Sequence, residues 1–544
     1  MPLLKIFWFF YFNLSSLGTF NNKHIKKFWG VNIKSLFKAV AVLTIFSVLT
    51  RFLGFIFKIF LSRTISTELL GVYSIVTSVF MVFVTILNSG LPLAVSKSTT
   101  INFEKDSKKS NGSVSSALII SLIMCALILI VILLGKPLLE SYFEDNNAYV
   151  LLLLMLPAII FTGVYTPFKG YLWGREKFFH VSLVEFIEQI IRIITYFVCF
   201  YLFSFSNDLF PAGISVSVAC VLSTIVGIII FHSLKGRLQS PKTCFKPILK
   251  SSAPITLVRL ATSLMQPFMA FLLPLRLVQV GFTNEQALSQ LGIAMGMTMP
   301  LLSIPSTIIG SLAMAIIPNL TSLNNEHDTL KLKKQISLSI TFTLCCSFIV
   351  IPFFIALGEP VCLFLFDNIT AGTYLKDACW LIIPMGVSQI TTSILNSLNL
   401  EVKTFKYYLY SCVILFLSIL ILPKYVGIYA LLYGMGLSTL LIAVLNIIKI
   451  NKTIGANKTY LGIILKLIII TIPTVFLTKW IYNLSVLFFP RIVSLILCGG
   501  ISVIAFTVLM AVFSIIDVQY FKIIYKVKIK EFKNKTRKLK SKKT

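Results

Sequence analysis

Apolar residues run along this chain in long unbroken stretches, parted by short polar loops, from about residue 39 to residue 514. A helix crossing roughly 30 Å of hydrocarbon needs about 20 such residues. Fourteen stretches qualify, at 39–63, 70–96, 114–134, 149–169, 183–206, 211–233, 251–278, 286–318, 336–357, 378–399, 405–422, 426–449, 461–482 and 491–514. Spanning strands would alternate apolar with polar positions. Runs such as LIISLIMCALILIVILL do not alternate, so the pattern predicts an all-α polytopic membrane protein.

The loops between the stretches alternate in charge. Even-numbered loops carry Lys105, Lys108 and Lys109, then Arg175 and Lys177, then Lys235, Arg237, Lys242, Lys246 and Lys250, then Lys331, Lys333 and Lys334, and finally Lys449, Lys452 and Lys458. Odd-numbered loops are poor in bases and often acidic, with Glu140, Glu144 and Asp145 in one and Glu359, Asp367 and Asp377 in another. Counting bases in short loops places the N-terminus, the even loops and the C-terminus in the cytoplasm of a cell membrane. An even number of spans agrees, because it leaves both termini on one side.

Composition sharpens this picture. The chain is 57% hydrophobic and 12% charged, with a mean hydropathy of +0.91, which excludes an ordinary soluble domain. Its net charge of +30 is spread over loops flanking lipid, so it reads as a topological signal and not as a nucleic-acid footprint. The densest cluster, 522–543, holds eleven Lys or Arg and the single acid Glu531, and is expected to meet anionic head groups. There is no GxxxxGK[ST] loop, no HExxH and no His-centred catalytic constellation. The expectation is therefore a non-enzyme without cofactor or metal. Ten cysteines show no metal spacing and lie mostly inside spans as small hydrophobes. Cys362 and Cys379 flank one odd loop, where a disulfide is conceivable.

Charges inside the stretches carry the functional question. At about 1.5 Å rise per residue, Arg51 lies roughly 18 Å into the first span, near the bilayer centre. A base there costs at least about 2.5 kcal/mol unless it faces water or a partner. Lys58 follows on the same face and Arg63 ends the helix, giving a ladder of positive charge. In the seventh span Arg259 and Arg276 are placed in a similar way. Arginine presents a planar fork that suits phosphate oxygens and stays charged when desolvated, so Arg51, Lys58, Arg63, Arg259 and Arg276 are the expected ligands of an anionic substrate. The alternative is structural, with Arg51 capping carbonyls or pairing with an acid and the outer-end bases Lys58 and Arg63 only anchoring their helix. Lys97 and Lys169, ending their spans, are expected to snorkel. In the fifth span Glu188 precedes Arg192 by four residues, the favourable order for an intrahelical pair, which leaves Glu185 over as a proton or cation site.

Helix breakers crowd the seventh and eighth spans: Pro254, Pro267, Pro274, Pro300, Pro305, Pro318, Gly292, Gly296 and Gly310. Lipid tolerates such breaks only where protein or a wet cavity re-satisfies the backbone, so a moving gate is expected there. The segments TRFLGFIFKIFLSRTISTELLGVYSI and VRLATSLMQPFMAFLLPLRLVQVGFTNEQALSQLGIA, opening the first and seventh spans, read as copies. They divide the chain into an extension 1–34, a six-helix lobe 35–233, a second lobe 234–449, two further helices in 450–514 and a basic tail 515–544. Parallel repeats of this kind bind substrate between lobes. The first 34 residues are apolar and aromatic but interrupted by Lys5 and too short to span.

The stretches TRFLGFIFKIFLSRTI, ELLGVYSI, NSGLPLAVSK, PITLVRLATSL and EQALSQLGIAMGMTMPLLSIPSTIIGSLAMAIIPNL resemble the stage V sporulation protein B family, over roughly 35–515. That family belongs to the multidrug/oligosaccharidyl-lipid/polysaccharide exporter superfamily, beside the lipid II flippases. The resemblance implies two six-helix lobes around a central cavity plus two helices that hold a polyprenyl tail. It also implies that Arg51 and Arg276 line a cationic cavity for a lipid-linked pyrophosphate. Val84 and Thr85 occupy the region where lipid II flippases carry an arginine in the second helix. The implied function is outward movement of an undecaprenyl-pyrophosphate-linked glycan for spore cortex, driven by the membrane potential or an ion gradient. Cation-coupled multidrug export and a non-transporting scaffold for cell-wall synthases are the alternatives.

Overall fold

The computed structural model describes residues 33–102, 107–137, 147–203, 205, 207–241, 244–326, 328–455 and 460–515, with side chains on the first helix from residue 45 onward. Residues 1–32 of the N-terminal extension, the basic tail 522–543, Lys105, Glu140, Glu144, Asp145, Lys242 and Lys458 lie outside the described residues. Everything regular among the described residues is helical.

The chain order is α1 Ile33–Thr64, α2 Thr67–Asn88, α3 Gly90–Asn102, α4 Ser107–Leu134, α5 Asn147–Leu154, α6 Leu156–Gly174, α7 Phe178–Leu202 and α8 Phe210–Ser233. Then come α9 Phe245–Ser263, α10 Met265–Gln279, α11 Asn284–Gly292, a π-helical turn Ile293–Thr298, α12 Met299–Leu302 and α13 Ile304–Asn325. The remainder is α14 Thr329–Phe348, α15 Ile351–Phe366, α16 Ile369–Ala378, α17 Ile382–Ser397, α18 Glu401–Ile421, α19 Pro423–Val426, α20 Tyr429–Ile454, α21 Leu461–Phe488 and α22 Arg491–Val512.

Local sequence explains where these helices start and break. Ser66 caps α2 by accepting from the Leu69 amide, and Thr283 with Gln286 forms a capping box at α11. Asp328 and Asn368 cap α14 and α16 in the same way. Prolines sit in the first turn of α6, α8, α12, α13 and α15, where their missing N–H costs nothing. The proline- and glycine-rich eighth span is a broken one: Asn284–Leu302 and Ile304–Ala313 meet at 47°, with the π turn inside the first piece.

Twelve spans pass on length and apolarity among the described residues, or thirteen with the bent pair counted. The expected fourteen included α7, which is 25 residues long but carries Glu185, Glu188 and Arg192, too charged to count on composition. The stretch 358–377, read as loop from its acids, is helical. It forms a hairpin of α15 and α16 in which Gly372 lies against the Glu359 backbone, where an added Cβ would come within 2.4 Å.

Burial is uneven. In α14–α15 72% of the most apolar window is buried inside the protein, whereas in α1 and in α9–α10 the share is 17%. Large apolar side chains such as Leu127, Phe476 and Leu487 face outward, as lipid contact requires. α1 packs on α7 through aromatic pairs, Phe57 with Tyr196 and Phe60 with Phe197, and on its other side meets α13, α15 and the π turn. It thus stands between the two halves of the chain. α21 and α22 pair with each other and lie against α15, with Gly499 close to the Phe353 ring.

Candidate functional site

The five predicted anion ligands divide into two kinds. Arg51 is exposed on α1, and its Nη1 donates to Thr307 Oγ1 of α13 at 3.3 Å, with no carboxylate ion pair among the described residues. Arg259 is exposed on α9, beside an open recess of about 300 Å³ lined also by Pro254, Ile255 and Val258. Lys58 is half-buried two turns beyond Arg51 on α1.

The two bases that end their helices are occupied. Arg63 donates from Nε to the Leu365 carbonyl at 2.8 Å and from Nη2 to the Phe364 carbonyl. Arg276 donates from Nε and Nη2 to the Leu420 carbonyl at 3.2 and 2.7 Å, and from Nη1 to Gln279 Oε1 at 2.6 Å. Each satisfies the orphan carbonyls at the C-terminus of another helix, α15 and α18 respectively, where positive charge is favoured. Carbonyl capping of this kind is the alternative expected for Arg51, and the structure makes it instead at Arg63 and Arg276.

The bases therefore do not form one cluster. Arg63 and Arg276 share the end of the molecule that carries the odd loops. Arg51 lies twelve residues before Arg63, about 18 Å deeper along the helix.

A second charged group lies inside the first half. Arg192 Nη2 is 2.8 Å from Glu188 Oε1, both about one-fifth exposed. Across on α8, Ser223 Oγ is 3.5 Å and Cys220 Sγ 3.9 Å from the Glu188 carboxylate. Glu185 is not left over. Lys169 of α6 reaches its Oε1 at 2.8 Å. Lys169 does not snorkel either: α6 runs five residues past it to Gly174, so its 10%-exposed side chain is held among helices and over the Trp173 ring. The Tyr165 hydroxyl, without a hydrogen-bond partner among the described residues, lies within electrostatic reach of both glutamates, and Gly227 of α8 leaves room for its ring.

The second half places a neutral group in the corresponding region. Asn446 of α20 is fully buried and donates from Nδ2 to Thr391 Oγ1 at 3.1 Å and Thr392 Oγ1 at 3.0 Å, both on α17. Its Oδ1 has no partner among the described residues. Sequence reading passed over Asn446, Thr307 and the role of Lys169. An amide inside an apolar span was a usable signal for the first, and a lysine short of the helix end for the last. Cys362 and Cys379 are buried free thiols, so the conceivable bridge is not made.

Chemically, the two exposed guanidinium groups, Arg51 and Arg259, can donate to phosphate oxygens without first breaking an ion pair to any described carboxylate. No group of three or more metal-ligating side chains occurs among the described residues.

Comparisons with known proteins place this arrangement. A family model described as polysaccharide biosynthesis protein matches residues 36–324. The stage V sporulation protein B of Bacillus subtilis (strain 168) is 24% identical over 305 residues, 52% of this chain and 58% of that protein. The sporulation protein YkvU of the same organism is 23% identical over 314 residues, 55% of this chain and 68% of its own length. The match thus spans little more than half of the first of these relatives. Among solved structures, the lipid II flippase MurJ in an inward closed conformation aligns over 88% of this chain and 100% of its own, with a TM-score of 0.68 and 13% identity. An inward-facing multidrug resistance MATE family transporter of the MOP superfamily aligns over 76% and 98%, with a TM-score of 0.63 and 15% identity. At such identities the likeness is one of fold.

Proposed function

This chain belongs to the polysaccharide biosynthesis protein family, and on that premise we propose that it is a flippase for an undecaprenyl-pyrophosphate-linked glycan. The cargo is a peptidoglycan precursor, destined for spore cortex, carried from the inner to the outer leaflet by alternating access. Two relatives named as sporulation proteins support the destination. The basic even loops support a cytoplasmic placement of both termini.

One observation carries the reading: Arg51 is exposed deep in its span, bonded to a neutral hydroxyl on the other half of the chain, with no carboxylate among the described residues to neutralise it. In hydrocarbon that guanidinium costs at least about 2.5 kcal/mol, so it faces water or an anion. Arg51 and Arg259 take the pyrophosphate, with Lys58 next along the path, while the polyprenyl tail stays in lipid. Arg63 and Arg276 hold helix ends in this conformation and meet cargo only when those carbonyls are released. Glu188 and Arg192 form a structural pair. Glu185 with Lys169 is the pair that responds to a coupling ion.

Reconstitution tests this directly. With labelled lipid-linked precursor in the inner leaflet, Arg51→Ala with Arg259→Ala is expected to lower the initial outward rate ten- to a hundredfold. That range follows from losing charge-assisted contacts of about 1.5–3 kcal/mol. An unchanged rate removes the site. A second reading, cation-coupled export of organic solutes, is favoured only by the titratable Lys169–Glu185 pair. It predicts drug efflux that survives loss of Arg51 and disappears in Glu185→Gln.

A further inference from the structure

At the odd-loop end of the molecule the halves touch closely. Gly71 of α2 lies against the Leu288 carbonyl of α11, where an added Cβ would come within 2.1 Å of that oxygen. Gly292 of α11 lies against the backbone of α2, with a Cβ falling 2.2 Å from the Thr67 carbonyl and 2.6 Å from the Gly71 nitrogen. Between these glycines Thr67 Oγ1 and Ser289 Oγ are 2.7 Å apart. The backbones approach closely here over about one turn of each helix, with the two small hydroxyls meeting between them.

Beside this seam the α15–α16 corner is tied down from both sides. Arg63 at the end of α1 grips the Phe364 and Leu365 carbonyls, and Thr298 of the π turn donates to the Ala371 carbonyl at 3.2 Å. The corner, Arg63 and the start of α2 enclose an open recess of about 650 Å³, lined by Ser62, Ser66, Thr67 and Asp367 among others. Asp367 turns the chain in the left-handed region, φ +55°. Among the described residues, α1 also holds to the second half through Arg51 to Thr307.

We infer that Arg63 and the Gly71–Gly292 seam form a releasable latch, which holds the odd-loop end shut in this conformation and parts when that end opens. Glycines suit such a seam because they let the two backbones approach closely without large side chains interlocking at the contact. Arg63 suits it because each carbonyl it leaves can be rehydrated in the adjoining recess. Arg63 is then a positioning residue, and the proposed transport of a lipid-linked glycan enters only in supposing that this end opens at all.

The test reads the opening without any substrate. Ser62, buried against the recess, is replaced by cysteine in protein whose other cysteines have been exchanged for serine or alanine, and labelled with a membrane-impermeant maleimide in vesicles of both orientations. Arg63→Gln is expected to raise the labelling rate about tenfold, the shift that loss of one charge-assisted bond produces, and from one side only. In a second form Thr67→Cys with Ser289→Cys is expected to cross-link under oxidant, given hydroxyls already in contact. The cross-link should suppress Ser62→Cys labelling and reductant should restore it. Equal labelling with and without Arg63, failure of the pair to cross-link, or labelling unaffected by the cross-link each overturns the latch. Normal gating without movement of lipid-linked glycan would instead sink the proposed cargo and leave the latch standing.

Discussion

The interiors of the two halves solve the same packing problem with different chemistry. In the first, α6, α7 and α8 converge on charges: Lys169 with Glu185, and Glu188 with Arg192. In the second, α17 and α20 converge on an amide and two hydroxyls, while α18, the counterpart of α7 by order in its half, buries only Ser411 and Ser418 as polar groups. Charges in an intramembrane interior are costly and tend to mark function, whereas a neutral amide network mainly fixes register. The halves differ in this interior chemistry, and the proposed response to an ion would fall to the first.

The largest effect expected to sharpen this contrast is on stability. Arg192→Met leaves Glu188 without its counter-ion, and removing one member of a buried pair costs about 3–5 kcal/mol, here toward the low end because both groups are partly exposed. The melting temperature in detergent should fall clearly, and Glu188→Leu with Arg192→Met should recover part of the loss. A double variant less stable than either single one would show that the pair is not a unit. In the second half Asn446→Leu removes two neutral hydrogen bonds along with an orphan acceptor, and should cost no more than about 1 kcal/mol. A loss as large as that from Arg192→Met would erase the distinction between the halves.

The smallest stability effect belongs to Glu185→Gln. Its partner is 10% exposed but Glu185 itself is 42% exposed, so the change should stay within about 1 kcal/mol. The informative readout is coupling. Transport in vesicles should lose its response to an imposed proton or sodium gradient while keeping its rate without one. A preserved response would move ion coupling out of the first half.

Much of this was legible from residue order. Long apolar runs predict the spans, and prolines with glycines in 284–313 predict the bend that α11 to α13 makes. The four-residue spacing of Glu188 and Arg192 predicts an intrahelical contact, since the partner lies on the same helix. Lys169 was misjudged because a hydropathy window ends where polar residues begin, while the helix itself runs on to Gly174. The acids in 358–377 suggested a loop because charge, at an interface, does not distinguish a helical hairpin from a turn.

What residue order determined by itself is local and one-dimensional: helicity, span length, the depth of each base and the places where helices break. Only the tertiary structure decided what each charge meets. Arg63 finds carbonyls 302 and 301 residues away, Arg51 a hydroxyl 256 residues away, and Lys169 a glutamate on the next helix. Hydropathy and periodicity follow from a residue's own transfer free energy and helical angle. Partnership depends on which helix faces which, and that is set by the packing of every other side chain in the bundle.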